Sequence, residues 1–438
     1  MVGTGDVGLV SGACMADFGH DVWCVDINAE RIAGLCRGVI PFYEPGLDKL
    51  VTKNVQAGRL HFTTSLSEGM AAAELVFIAV QTPQSESGEA DLQFVMQVGE
   101  EIGRLMTGYK VVVTKSTVPV GTARRLARVI RDAQPTPVPF DLASNPEFLR
   151  EGSSIEDFMR PDRVVIGAES EQAANLVREI YRPLYLLETP IVMCEIETAE
   201  LIKYASNSFL AVKISFINEI AALAENVGGD VSKIAKAMGL DRRIGGKFLH
   251  AGLGFGGSCL PKDTHALVHI GQEAGVDMAI VRAAIARNEE LPRRAFAKAR
   301  ALLPAAGGTV ALLGVAFKPN TDDIRAAASR PLARLLLDAG CKVRITDPVA
   351  MPMFHELVPE TVACGSAYEA ATGADLCILV TEWNEYRQLD FDRLGGVMAH
   401  KALLDCRNVY DHARVAAHGF AYDCFGRTAP GRGEDARK

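Results

Sequence analysis

At 438 residues the chain exceeds what one ordinary hydrophobic core fills, so roughly two or three domains are expected. Hydrophobic residues make up 48% and charged residues 23%, as in a globular protein, and 46 basic against 54 acidic side chains give a net charge of −8. That balance excludes a global basic field for nucleic acid, so any anionic ligand must be held by local lysines, arginines and helix N-termini.

No apolar run reaches the roughly 18 residues needed to span a bilayer, and no signal peptide precedes the first motif. The ten cysteines are scattered, without a CxxC pair or regular spacing. This predicts reduced thiols in a cytoplasmic protein, with neither a disulfide framework nor a metal site.

The first motif is Gly3-Thr4-Gly5-Asp6-Val7-Gly8, followed by the helix-like LVSGACMADFG and a short apolar strand that ends at Asp26. Glycines allow a tight turn and close approach to a pyrophosphate, and an acid about 20 residues on suits ribose hydroxyls. An acid there favours NAD over NADP, because it repels a 2′-phosphate. Only Met1 and Val2 precede the glycines, against about five residues for a usual strand. Asp6 also places a carboxylate where a pyrophosphate would approach the helix N-terminus. Both features predict a weakened hold on the dinucleotide.

An α/β rhythm follows. Residues 75–80 read as a buried strand ending at Gln81-Thr82-Pro83, and residues 110–114 as another ending in Lys115-Ser116-Thr117. Residues 142–144 run into Asn145-Pro146-Glu147-Phe148-Leu149-Arg150-Glu151. In an open α/β sheet ligands bind at these carboxyl ends. For Thr82 and Thr117, turn and cap chemistry is an equally good reading.

Residues 195–227 lack Gly and Pro and predict one long helix, of the kind that links domains or forms a dimer interface. Lys203 and Asn207, four apart, share a face of it and suit hydrogen bonding of a substrate oxygen or a water. Beyond Gly228-Gly229 a basic cluster of Arg242, Arg243 and Lys247 suits phosphate oxygens.

The run Gly254-Phe255-Gly256-Gly257-Ser258-Cys259-Leu260-Pro261-Lys262-Asp263 then sets one cysteine at the end of a glycine turn. It reads either as a structural thiol in a loop or as a reactive one, since a cation beside a thiol favours the thiolate. Residues 264–303 return to a helical pattern. A second α/β unit follows, with strands at 309–314, 342–348, 376–380 and 402–405, a helix at 331–339 and no GxGxxG. An Arg-, Gly- and Pro-rich tail from 427 is expected to be disordered.

Together the segments GTGDVGLVSG, QTP, KSTVPVGT, NPEFLREGSSIEDFMRPDRVVIG, KYASNSF, KFLHAGLGFGGSCLPKD and GVAFKPNTDD resemble the UDP-glucose/GDP-mannose dehydrogenase family over residues 1–425. The expected fold is two Rossmann-like doubly wound parallel-sheet domains joined by a long central helix. The expected domains are 1–194 for NAD, 195–304 for dimerisation and the cysteine turn, 305–426 for the UDP-sugar, and the tail 427–438.

The resemblance implies a four-electron oxidation of a nucleotide-sugar C6 alcohol to a carboxylate by two NAD+. GGSC argues against the UDP-N-acetylmannosamine type, and RPDRVVIG favours the UDP-glucose branch over GDP-mannose. Cys259 matches the family nucleophile, and Lys203 with Asp263 the pair that polarises a water. Asn207 matches an oxyanion donor, and Glu147 with Thr117 the groups around the hydrolytic water.

The resemblance places the cofactor on Gly3, Gly5, Val7, Gly8, Asp26, Arg31, Thr82, Thr117, Glu151, Lys262 and Arg325. The nucleotide sugar falls on Glu147, Phe148, Leu149, Arg150, Glu151, Lys203, Asn207, Phe248, Leu249, His250, Ala251, Gly252, Gly256 and Lys318, with Arg243 reaching the sugar of a partner subunit. A homo-oligomer is expected, and neither nucleic acid nor membrane as partner. Two alternatives stand beside this: the same chemistry on GDP-mannose or another nucleotide sugar, and a nucleotide-sugar-binding protein with impaired NAD binding.

Overall fold

The computed structural model describes residues 1–84, 90–304 and 307–427. They form two compact units, Met1–Ser206 with His269–Gly275, and Asn207–Val268 with the chain from Val276 onward.

In the first unit, β1 (Val22–Val25) pairs in parallel with β2 (Leu60–Thr63). A five-stranded sheet runs in the order β3 (Leu75–Ile78), β4 (Lys110–Thr114), β5 (Phe140–Ser144), β6 (Val164–Ala168) and β7 (Ile191–Cys194). Successive residues of β4 serve opposite apolar layers: Val111 and Val113 lie in one cluster, Val112 in the other. This is the pattern of a strand buried on both faces. At the place of a Rossmann first strand there is a single residue. Val2 bridges Val25 on one side and Ile78 on the other, donating to Phe77 O (2.7 Å) and accepting from Ala79 N (2.8 Å).

The second unit carries a six-stranded, all-parallel sheet. Its strands are β8 (Thr309–Leu313), β9 (Lys342–Thr346), β10 (Val362–Ala363), β11 (Leu376–Leu379), β12 (Ala402–Asp405) and β13 (Ala421–Cys424), in the order β10-β9-β8-β11-β12-β13. The long helix Ile196–Val227 is continuous through the boundary at Ser206 and Asn207, and ends where Gly228 takes a φ of 77°.

The fold is therefore the expected pair of Rossmann-like α/β sheets with a long helix, with three departures. β6 runs antiparallel to β5. The helical stretch 264–303 is two helices, Leu260–Glu273 and Ala279–Leu302, parted at Gly275. Arg427, expected in the tail, instead donates to Asn408 Oδ1 (3.3 Å), Tyr410 O and Tyr422 OH. The rest of the expected tail lies outside the described residues.

Against the expectation from sequence, the long helix is long and apolar enough to cross a membrane by length and composition. Yet it carries the buried Glu200, Lys203 and Asn207. Glu200 caps the helix Thr122–Ala133, accepting from Gly121 N (2.7 Å) and Ala123 N (3.1 Å). Burial pushes its carboxyl from the ordinary 4.5 up to about 7 despite those two amides.

The folded state thus holds a proton at Glu200 more tightly than the unfolded chain. Its contribution to stability is complete below the ordinary value and is lost as pH rises toward 7, by up to about 3 kcal/mol. Glu200→Gln is expected to narrow the difference in thermal midpoint between about pH 5 and about pH 8. An unchanged difference would exclude Glu200 as its source.

Candidate active site

In the first unit the glycine loop opens the helix Asp6–Asp17, with Gly5 as its N-cap. Gly3 takes a φ of +101°, and a Cβ there would lie 2.6 Å from Ala79 O, so only glycine fits. At Gly5 nothing lies within 4 Å of where a Cβ would stand. That leaves room for a ligand against the helix N-terminus. Gly8 and Val7 occupy the same first turn as Asp6, which is half-buried.

Asp26, just past β1, accepts on Oδ2 from Thr4 N (2.9 Å), Thr4 Oγ1 (2.7 Å) and Arg31 Nη1 (3.3 Å), and on Oδ1 from Asn28 N (3.0 Å). Burial pushes this carboxyl up, but those hydrogen bonds and the Arg31 charge outweigh it and hold it below its ordinary value. Asp26 is therefore an ionised acceptor, and Oδ1 keeps capacity for a ribose hydroxyl. Thr82 and Thr117 are joined, Thr82 Oγ1 donating to Thr117 O (2.9 Å). Glycine loop, open helix start and ionised acid fit an NAD.

At the carboxyl end of β5, Glu147 and Lys203 form a buried ion pair. Lys203 Nζ lies 2.7 Å from both Glu147 Oε1 and Glu147 O, and Leu149 N donates to Oε2 (2.6 Å). Burial raises the Glu147 carboxyl, yet the Lys203 charge and bond overcome it and keep it below its ordinary value. The Arg163 guanidinium sits 3.4 Å from the Phe148 ring centroid. Arg150 pairs with Asp157 at the surface, and Glu151 is half-buried.

Two further groups escaped the sequence reading. Lys115 is buried, donating to Asn145 Oδ1 (3.1 Å) and Tyr181 OH (3.4 Å), and burial lowers its amine to about 8 while the Glu147 charge opposes this. Glu44 accepts from Gly152 N (2.7 Å) and Ser154 N (2.9 Å), fixing the chain just after Glu151. Neither carries a local signal, since a lone charged residue beside a strand end or a Pro-Gly turn reads as solvated.

In the second unit the helix Leu260–Glu273 starts directly after Cys259, whose carbonyl accepts from Asp263 N (2.9 Å). Cys259 is half-buried, with Ser258 Oγ 3.5 Å from its sulfur. Asp263 is 1% exposed, and its two oxygens are taken by Asn207 Nδ2 (2.6 Å) and Lys262 Nζ (2.8 Å). The segment from Phe248 to Gly252 is held by Asn218 Oδ1 on Gly252 N (3.0 Å) and Asn408 Nδ2 on Ala251 O (3.3 Å). Phe248 adopts a φ of 64°, Leu249 is buried and His250 exposed. Gly256 lies on the cysteine turn and Lys318 beside Phe317. Arg325 Nε bonds Asp323 Oδ1 (2.9 Å) and its carbonyl accepts from Gly257 N (2.8 Å). Arg243 stands apart, 89% exposed and paired with Asp241.

Three domain profiles of one family match in register with these clusters: its NAD binding domain over residues 1–185, its central domain over 197–290 and its UDP binding domain over 311–412. The chain belongs to the UDP-glucose/GDP-mannose dehydrogenase family. Within the family it is 49% identical over 435 residues to the UDP-glucose 6-dehydrogenase of Rhizobium meliloti (strain 1021), covering 98% of this chain and 99% of that one. It is 46% identical over 442 residues to the UDP-glucose 6-dehydrogenase of Pseudomonas aeruginosa, covering 98% of each. Among solved structures, a UDP-glucose dehydrogenase from the hyperthermophilic archaeon Pyrobaculum islandicum superposes with a TM-score of 0.87 at 40% identity, over 93% of both chains.

Proposed function

We propose that this family member oxidises the C6 alcohol of UDP-glucose to UDP-glucuronate, reducing two NAD+ per sugar. The observation that carries the reading is near-half identity to UDP-glucose 6-dehydrogenases along 98% of the chain. The chemistry of the residues supports it. Bound at the glycine loop and Asp26, with Arg31, Thr82, Thr117, Glu151, Lys262 and Arg325 around it, NAD+ supplies the hydride acceptor.

Lys203 and Asp263 polarise a water and take the alcohol proton as the aldehyde forms. The Cys259 sulfur then adds to the aldehyde carbon, giving a thiohemiacetal whose oxyanion Lys203 and Asn207 stabilise. Loss of the second hydride leaves a thioester. Glu147, with Thr117 beside the water, directs hydrolysis; the C–S bond breaks and the thiol is restored. One alcohol and one water yield one carboxylate, two hydrides and three protons. Glu147 to Glu151, Phe248 to Gly252, Gly256 and Lys318 hold the nucleotide sugar.

Mixing the protein with UDP-glucose and NAD+ is expected to yield two NADH per sugar consumed, with GDP-mannose at background. Turnover of GDP-mannose alone would overturn the sugar assignment. NADH from neither sugar, with UDP-glucose binding retained in calorimetry, would favour a nucleotide-sugar-binding protein.

A second copy of the chain is the expected partner. Phe209 (64% exposed), Phe216 (45%) and Leu223 (57%) recur every seven residues on the long helix and form one apolar stripe. Such a stripe suits a self-complementary helix pair, through which Arg243 reaches the partner's sugar. Sedimentation equilibrium reports the mass. Ten scattered cysteines without CxxC spacing suit a reducing, cytoplasmic setting.

A further inference from the structure

We propose that Phe317 is a positioning residue for Cys259, acting through the glycine pair that precedes it. This rests on the reading of Cys259 as the nucleophile. A Cβ built at Gly257 would stand 2.6 Å from Phe317 Cζ and 2.8 Å from both Cε atoms, so the ring tip presses directly on the turn. At Gly256 a Cβ would meet Ala326 O at 2.5 Å and Phe317 Cβ at 3.1 Å. Gly257 N donates to Arg325 O (2.8 Å). One wall of the cysteine turn is thus made by residues 317 and 325–326, with no slack for even a methyl group. The turn's other end is clamped at Phe255, whose N and O bond Asn288 at 2.8 and 2.9 Å.

The ring is itself rigidly mounted. Val315 N and Ala316 N donate to Asp347 Oδ2 (2.8 and 3.1 Å), and their carbonyls accept from Ser329 (2.6 Å) and Thr381 (2.5 Å). Phe317 N donates to Asp323 O (3.1 Å) and Phe317 O accepts from Arg407 Nη2 (3.2 Å). The same loop holds Asn320 at φ 64° and Ala326 at φ 47°, left-handed positions that non-glycine residues adopt only when their surroundings impose them. Three bonded backbone residues and two strained ones serve to hold one aromatic edge against Gly257. A thiol that must meet an aldehyde carbon within a few tenths of an ångström needs such a stop. Lys318, assigned above to the nucleotide sugar, is the next residue, so a bound nucleotide and the nucleophile are registered to one short loop.

The test compares full-length wild type, Phe317→Ala and Phe317→Leu. Alkylation of Cys259 by iodoacetamide, read by peptide mass spectrometry, is normalised to the exposed Cys36 in the same molecule. The alanine variant is expected to alkylate Cys259 about threefold faster without ligand, because the turn gains freedom to open, and leucine to restore the wild-type rate. In turnover with UDP-glucose, alanine is expected to lower kcat about tenfold with KM changed less than about twofold, and leucine to recover most of it.

Wild-type values in both measurements for Phe317→Ala would overturn the proposal. So would alkylation of the buried Cys341 and Cys406 alongside Cys259, which would make the ring merely structural. If wild type fails to oxidise UDP-glucose while the alkylation pattern holds, the functional reading falls and the positioning role stands.

Discussion

Cys259→Ser is expected to lower formation of the sugar acid by at least about 10³-fold while leaving the first oxidation step reversible. A serine hydroxyl in place of the thiol cannot readily form the adduct from which the second hydride leaves, so the reaction stalls at the aldehyde. That intermediate is reduced back to the alcohol by the NADH made in the same turnover, and net NADH stays near background. Supplying the C6 aldehyde with NADH therefore separates the two halves: the variant should consume NADH at a rate within about tenfold of wild type. Loss of both halves would mean that the substitution disturbs the turn. Full conversion to the acid would remove the thioester from the mechanism. Cys341→Ser is the matched control, because that thiol is buried and burial raises its pKa.

The candidate site was legible where its placement depends on residue type at fixed spacing. The glycine loop and Asp26 are separated as a dinucleotide turn requires, and Cys259, Lys262 and Asp263 adjoin in one short run. The long helix was legible because 32 residues without Gly or Pro leave no other reading. What stayed hidden depends on long-range contact. The helical period places Lys203 on a face but not in a buried ion pair; it is 3% exposed, with Glu147, 56 residues away, neutralising it. The sequence gives no reason for β6 to reverse against β5, since its Val-Val-Ile-Gly run would suit either direction. Phe317 reads as an ordinary loop aromatic, and only the fold brings its edge to Gly257. Lys203 and Asn207 illustrate both limits. Their shared face follows from helical period, but their partners, Glu147 for one and Asp263 for the other, follow only from tertiary structure.

Asp347→Ala is expected to produce the largest loss of stability in the second unit, at least about 4 kcal/mol. Asp347 follows β9 as Asp26 follows β1, the place where a Rossmann unit offers its acid to a ribose. The two carboxylates are used differently. Asp347 Oδ2 accepts from Val315 N, Ala316 N and Trp383 Nε1 (2.8, 3.1 and 3.0 Å), and Oδ1 from Val349 N and Ala350 N (3.0 and 2.8 Å). Five N–H groups converge on one buried carboxylate, which leaves it no capacity for a ribose. Removing it orphans all five donors in a site where each unmet donor costs about 1–3 kcal/mol, and water can restore only part of the loss.

Asparagine is not a rescue, because its amide group must face one set of donors with its own N–H. Trp383 reports the event directly, and Trp23→Phe removes the other tryptophan, which belongs to the first unit. Followed by Trp383 fluorescence in that background, Asp347→Ala should lower the thermal midpoint by about 10 °C, and Asp347→Asn by more than half as much. NAD binding, which we propose to rest on Asp26 in the first unit, should be unchanged below that transition. A midpoint within about 2 °C of the parent would show that the five N–H donors are satisfied without the carboxylate, and would return Asp347 to the pool of candidate ligand-binding acids.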